Sequence, residues 1–214
     1  PDQVEVIPHG ALDYLTRQSS EAPLPAELAA VEAPVILAFG LVRPYKSTEI
    51  LIQALDQVPD AELWVVGKPM MNMDLMRELA AARPGRVRFV ERFIPDQEIP
   101  AFMRRADLVS LPYSNIEQSG VLYAALAFGK PLVLSDVGGF PEIAAEGAAR
   151  LHPAGDAQAL GALLAELVDS PEELRQMGEA SQRLASERYS WASIGEQTAA
   201  LYQRLLGQGA GSRR

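Results

Sequence analysis

Six short apolar runs recur along the chain, and each is followed by a segment with helical spacing: Val35 to Phe39, Glu62 to Val66, Arg86 to Val90, Leu108 to Leu111, Leu132 to Ser135 and Arg150 to His152. Runs this short and this apolar suit strands covered on both faces, and their alternation with helices predicts an α/β chain built on a doubly wound parallel sheet of about six strands. Helical spacing is read over Thr48 to Leu55, Leu75 to Ala82, Glu98 to Arg105, Val121 to Phe128 and Ala157 to Val168. Ser170-Pro-Glu-Glu173 has the form of a capping box with proline at the first helical position, so a further helix is expected to start there. The unit spans residues 33–190. Residues 1–32 are read as an interdomain piece: a short strand and turn over Val4 to Gly10, then an exposed connection rich in Ala, Glu and Pro. A last helix over 191–206 carries Ile194, Leu201, Tyr202 and Leu205, and 207–214 are expected to be a disordered tail.

Composition excludes several functions. With 28 acidic against 19 basic side chains the net charge is −9, which argues against nucleic acid as a partner, because binding a phosphate polymer needs a basic field. There is no cysteine and there are two histidines, so thiol catalysis and disulfides are ruled out and no metal site is expected. No run approaches the length of a membrane span and no signal peptide is visible, so the expectation is a cytoplasmic protein.

In open parallel sheets, ligands bind beyond the carboxyl ends of the strands, which directs attention to four loops. The stretch Glu117 to Gly139 reads as a strand exit, a helix opening on Ser119-Gly120, a Gly129 stop and a Lys130-Pro131 step into the next strand. Unpaired N–H groups and the positive helix end point outward together at such an opening, as a phosphate cradle requires. In Gly40-Leu-Val-Arg-Pro-Tyr-Lys-Ser47, Arg43 and Lys46 either hold a diphosphate or form a solvated basic loop, and Ser47 or Thr48 can cap the next helix. Phe93 and Ile94 either sandwich a flat base or, as their residue type favours, belong to the core. Glu117 is a hydroxyl acceptor or a solvated loop residue. Gly138 and Gly139 permit close backbone approach to a ligand, or simply form a tight turn before a helix with Glu142 in its first turn. Met70, Met71, Met73 and Met76, with Trp64, Tyr123 and His152, read as packing.

The order Ile7-Pro-His-Gly10, Phe39-Gly-x-x-Arg-Pro-Tyr-Lys46, Trp64-Val-Val-Gly67, Ala106-Asp-Leu-Val-Ser-Leu-Pro-Tyr113, Gln118-Ser-Gly-Val121, Ala127-Phe-Gly-Lys-Pro131 and Gly138-Gly-x-x-Glu142 resembles the group 1, or family 4, glycosyltransferases. The resemblance implies the carboxyl-terminal, Rossmann-like, nucleotide-sugar-binding half of a GT-B enzyme, with the amino-terminal acceptor half lying outside these 214 residues. It implies hexosyl transfer from a nucleotide-diphosphate sugar with retention, the donor phosphate serving as base, and neither metal nor cofactor. The donor site would comprise Gly40, Arg43, Lys46, Phe93, Ile94, Gln118, Ser119, Gly120, Val121, Gly138, Gly139 and Glu142, with Arg43, Lys46 and Glu117 as the catalytic set. Membrane contact would come only through the missing half, and uncovered apolar surface at both ends would favour self-association. The resemblance implies two glutamates with seven residues between them around the cradle helix. Here those places fall on Ile116 and Ala124, and Leu41 stands where many relatives have arginine. The Gln-Ser-Gly sequence resembles a variant subgroup, and whether Glu117 replaces the first glutamate stays open. A non-catalytic nucleotide-binding or interaction module is the alternative reading, and a nucleotide-sugar epimerase a weaker one.

Overall fold

The computed structural model describes residues 4–116 and 118–211, with side chains through 206. In chain order its elements are α1 (Ala26–Ala29), β1 (Val35–Phe39), α2 (Thr48–Ala54), β2 (Glu62–Val66), α3 (Asp74–Ala81), β3 (Val87–Val90), α4 (Ile99–Arg105), β4 (Leu108–Leu111), α5 (Gly120–Ala127), β5 (Leu132–Ser135), α6 (Phe140–Ala145), β6 (Ala149–His152), α7 (Ala157–Val168), α8 (Pro171–Glu187) and α9 (Trp191–Gly211). The strands form one parallel sheet in the order β3-β2-β1-β4-β5-β6. Leu37 lies level with Trp64 on one side and Val109 on the other. The chain runs outward from β1 to β3 and then returns to β4 beside β1. The loops after β1 and β4 therefore leave the sheet in opposite directions and open a crevice between them, the position where open α/β sheets bind ligands.

The expected fold is the observed one, and the pleat explains why such short runs suffice. Val35, Leu37, Trp64, Val66, Val109 and Leu134 face a cluster closed by α4 and α5, while Ile36, Leu63, Val65, Leu108 and Val133 face a second one closed by α2 and α7. Every residue of β4 and β5 and nearly every residue of β2 is buried on one side or the other, so a strand of four or five apolar residues is fully used. Helix α5 is apolar on nearly all sides because the sheet, α8 and a 3-10 turn at Asp13–Arg17 all pack on it.

Several expectations need correction. Residues 4–10 form no strand, and the following segment is not an exposed connection: Ala11, Leu15 and Leu28 are buried in the core. The Ala11 N–H donates to the Tyr189 carbonyl at 2.7 Å and the Trp191 indole donates to the Ala11 carbonyl at 3.0 Å, so the two ends of the chain meet over α5. The capping box at Ser170 does not close, because Ser170 makes no side-chain cap and the Glu173 carboxylate is taken by Arg150. His152 is buried but only half satisfied, with Nδ1 bonded to the Pro153 carbonyl at 2.9 Å and Nε2 unpaired. The backbone of α9 stays helical to Gly211, which covers the first part of the tail expected to be disordered, and the rest of that tail lies outside the described residues.

Candidate functional site

The loop after β1 is built by close approach of two strand ends. Gly40 takes φ 89°, its N–H donates to the Val66 carbonyl at 2.9 Å, and a Cβ on Gly67 would stand 2.1 Å from the Gly40 oxygen. Only glycine fits at 67. A one-turn 3-10 segment at Pro44–Lys46 then ends at Ser47, a non-glycine residue held at φ 47°, ψ 42°. Such left-handed geometry costs on the order of 1–2 kcal/mol for an L residue and persists only where surrounding structure imposes it. Neither Ser47 nor Thr48 caps α2, contrary to expectation. The turn serves instead to fold Lys46 back across the strand end.

Lys46 is only 8% exposed, and its Nζ donates to the Phe39 carbonyl at 2.9 Å and sits 5.5 Å over the Tyr113 ring. Burial, with the nearby Arg43 charge adding to it, lowers the ammonium pKa from 10.5 to about 8. No carboxylate pairs with Lys46 or Arg43 among the described residues, although most other arginines of this acidic chain are paired. Among the described residues, the two cations near this strand end have no counter-ion, and an anionic ligand could supply one.

The loop after β4 completes the crevice. Ser114 donates its N–H to the Tyr45 carbonyl at 2.8 Å, tying this loop to the first. Ser119 is the N-cap of α5, its hydroxyl accepting from the Leu122 N–H at 3.3 Å, so the Gly120 and Val121 amides remain as outward-facing donors of the first turn. A Cβ on Gly40 would lie 3.0 Å from both Lys46 Nζ and Val121 Cγ2, which places the ammonium against the helix opening. The cavity between the loops holds about 390 Å³ and is lined by Gly40, Arg43, Lys46, Gln118, Ser119, Gly120 and Val121. Its far wall is apolar, formed by Leu12, Leu15, Phe39, Ile99 and Ala124. The wall residues Leu12, Tyr14, Tyr45 and Ile99, and above all Tyr113, escaped the sequence reading as site residues. Tyr113 was legible only as an aromatic following proline at a strand exit.

Other expected residues are not brought into this cavity. Ile94 is 6% exposed and belongs to the core, while Phe93 is 67% exposed, so consecutive side chains facing opposite ways cannot sandwich one base between them. Gly138, Gly139 and Glu142 stand on the other side of Ser119. A second cavity of about 630 Å³ there is lined by Gln118, Ser119, Gly139, Glu142 and Arg188, with Val6 to Pro8 at its edge. Gly138, at φ 54°, serves the backbone: its Cβ would stand 2.3 Å from the Ile116 carbonyl oxygen, so glycine lets the loop before α5 pass. Glu142 forms an exposed ion pair with Arg188 at 3.3 Å. Glu117 lies outside the described residues. Among the described residues no cluster of His, Cys, Asp and Glu side chains could hold a metal ion, and no helix is long and apolar enough to cross a membrane.

A Rossmann-like parallel sheet with a cavity at its switch point defines an α/β fold class, and comparison with known proteins narrows it. The chain belongs to the group 1 glycosyl transferases: residues 33–170 match the family described as Glycosyl transferases group 1. It is 29% identical over 213 residues to the MMP alpha-(1->4)-mannosyltransferase of Mycolicibacterium hassiacum, covering 96% of this chain and 49% of that protein. It is 30% identical to the alpha-maltose-1-phosphate synthase of Mycolicibacterium smegmatis, covering 96% of this chain and 58% of that protein. Among solved structures, Anabaena HepE in complex with UDP superposes with a TM-score of 0.73 at 27% identity, over 83% of this chain and 50% of that one. The chain therefore spans about half the length of the relatives it matches.

Proposed function

We propose that this chain is the donor-binding half of a hexosyltransferase that moves a sugar from a nucleotide diphosphate to an acceptor, in the synthesis of a polysaccharide or glycoconjugate. One observation carries the reading: Lys46 and Arg43, which pair with no carboxylate among the described residues, line one cavity with the first-turn amides of α5 at the topological switch point. In that cavity the diphosphate would lie against the Lys46 ammonium and the Gly120 and Val121 N–H groups, with Arg43 at the mouth. These groups would stabilise the charge that develops on the leaving diphosphate as the glycosidic bond breaks, where fixed donors act most strongly. Transfer with retention, the departing phosphate taking the acceptor proton, is part of the proposal, as are the variant Gln-Ser-Gly subgroup, a cytoplasmic setting and the absence of a metal requirement. The solved complex of HepE with UDP supports a nucleotide ligand for this fold.

The acceptor and the opposite cleft wall would come from a second domain, consistent with relatives about twice as long. Exposed Val4, Val6, Tyr202, Leu205 and Leu206 offer apolar surface for that domain or for self-association. Titration calorimetry with UDP, GDP and ADP tests the proposal. Micromolar to millimolar binding of at least one, abolished in the Arg43→Ala/Lys46→Ala double variant, is expected; no binding, or binding unchanged by the substitutions, would refute it. The second reading, a non-catalytic nucleotide-binding module, rests on Ala124, which leaves the cavity wall apolar where the family resemblance implies a glutamate. Donor binding without transfer, when this half is joined to an acceptor domain, would favour it.

A further inference from the structure

One polar atom at the site has no role in the fold. Tyr113 is only 2% exposed, and its hydroxyl is buried with no hydrogen-bond partner among the described residues. Buried polar groups are almost always paired, so an orphaned one marks a site waiting for a partner. The Ser119 hydroxyl stands close enough to pull on the phenol, yet forms no bond of acceptable geometry with it; it accepts from the Leu122 N–H.

The ring cannot easily turn away. Tyr45 packs edge-on against it at 5.6 Å, Phe140 lies tilted at 5.7 Å, and the Tyr113 carbonyl accepts from the Ser135 hydroxyl at 2.6 Å. Tyr113 lines the cavity together with Lys46, Ser119, Gly120 and Val121, and Lys46 Nζ sits over its ring. No carboxylate lines that cavity among the described residues. The ammonium, the guanidinium, the two amides and the phenol gathered here all donate, beside the Gln118 carboxamide and the Ser119 hydroxyl, which can also accept. Burial raises the phenol's pKa well above its ordinary value and keeps the proton in place. The matching ligand is rich in acceptors and carries no donors of its own at this point.

We propose that the Tyr113 hydroxyl donates a hydrogen bond to a non-bridging oxygen of the ligand's diphosphate, between Lys46 and the first turn of α5. This rests on the donor-site reading above and adds to it a residue that holds the leaving group. The test is Tyr113→Phe, which removes one oxygen and keeps the ring contacts. Wild type and variant are titrated with UDP, GDP, ADP, inorganic pyrophosphate and the matching nucleosides, and melted without ligand. The expected result is at least about tenfold weaker binding of the diphosphate and of pyrophosphate, the loss of one charge-assisted bond, with the nucleoside unaffected and the melting temperature equal or higher. Equal diphosphate affinity in both proteins would overturn the role of Tyr113 while leaving the donor site intact. An equal loss for the nucleoside would overturn it too, by showing a distorted pocket, as would a melting temperature lowered by several degrees, which would show a hydroxyl already paired. If the wild-type chain binds none of the diphosphates, the site reading fails and this role with it.

Discussion

Replacing Lys46 with methionine should make the protein more stable and less able to bind its ligand. The ammonium is buried, and the drop of its pKa from 10.5 to about 8 means that the folded state disfavours the charged form. At about 1.4 kcal/mol per pH unit, this is a penalty of about 3 kcal/mol. The sign follows from proton counting: between pH 8 and 10.5 the unfolded chain holds the proton that the folded chain has lost, so stability rises with pH across that window and the penalty is felt in full below it. Methionine keeps most of the stem and removes the charge, but leaves the Phe39 carbonyl without its 2.9 Å donor, which costs on the order of 1 kcal/mol. The net gain should be about 2 kcal/mol at pH 7, a rise of roughly 4–8 °C in Tm for a chain of this size, shrinking toward zero by pH 10. Binding moves the other way. Loss of a charge-assisted contact should weaken a nucleoside diphosphate by about 10- to 100-fold. In the wild type the same titration should make binding roughly tenfold weaker at pH 9 than at pH 7, because the anion selects the protonated lysine. Differential scanning calorimetry and titration calorimetry over pH 6–10 check both halves. A variant that melts below wild type at pH 7, or that binds equally well, would refute the reasoning.

Three further outcomes are expected. Gly67→Ala would drive a Cβ to 2.1 Å from the Gly40 oxygen, so chemical denaturation should show a loss of about 2–4 kcal/mol and the crevice should lose diphosphate affinity with it. Ser119→Ala removes the α5 cap and should cost about 1 kcal/mol in the same assay. Ala124→Glu puts a carboxylate on the apolar wall; stability should fall, while the preference for UDP over its 2′-deoxy analogue should rise, as calorimetry with the two ligands would show.

The sheet was legible because strands covered on both faces must be apolar at successive positions, so β1, β2, β4 and β5 stand out wherever they occur in the sequence. The opening of α5 was legible for a related reason: a serine followed by glycine at the mouth of an apolar run marks a helix start. The pairing of the Lys46 loop with the α5 opening depends on strand order, and it became visible only through the rule that ligands sit at switch points. What escaped the sequence depends on contacts between distant residues. Glu173 looks like half of a capping box until Arg150 claims it. Phe93 and Ile94 look like a pair until one enters the core and the other points to solvent. The segment holding Leu15 and Leu28 is broken by Pro23 and Pro25, so no long periodic run announces that it packs on the core. Tyr113 has the composition of core, and only its unpaired hydroxyl distinguishes it.

The central claim is that a diphosphate lies between the Lys46 ammonium and the opening of α5. A crystal structure of this chain soaked with whichever of UDP, GDP or ADP binds most tightly would test it most directly. The account predicts diphosphate oxygens within hydrogen-bond distance of Lys46 Nζ, the Gly120 and Val121 amides and the Tyr113 hydroxyl. Density for the nucleotide in the groove between Gly129 and α8 at the opposite end of the sheet, with the Lys46 cavity empty, would contradict it.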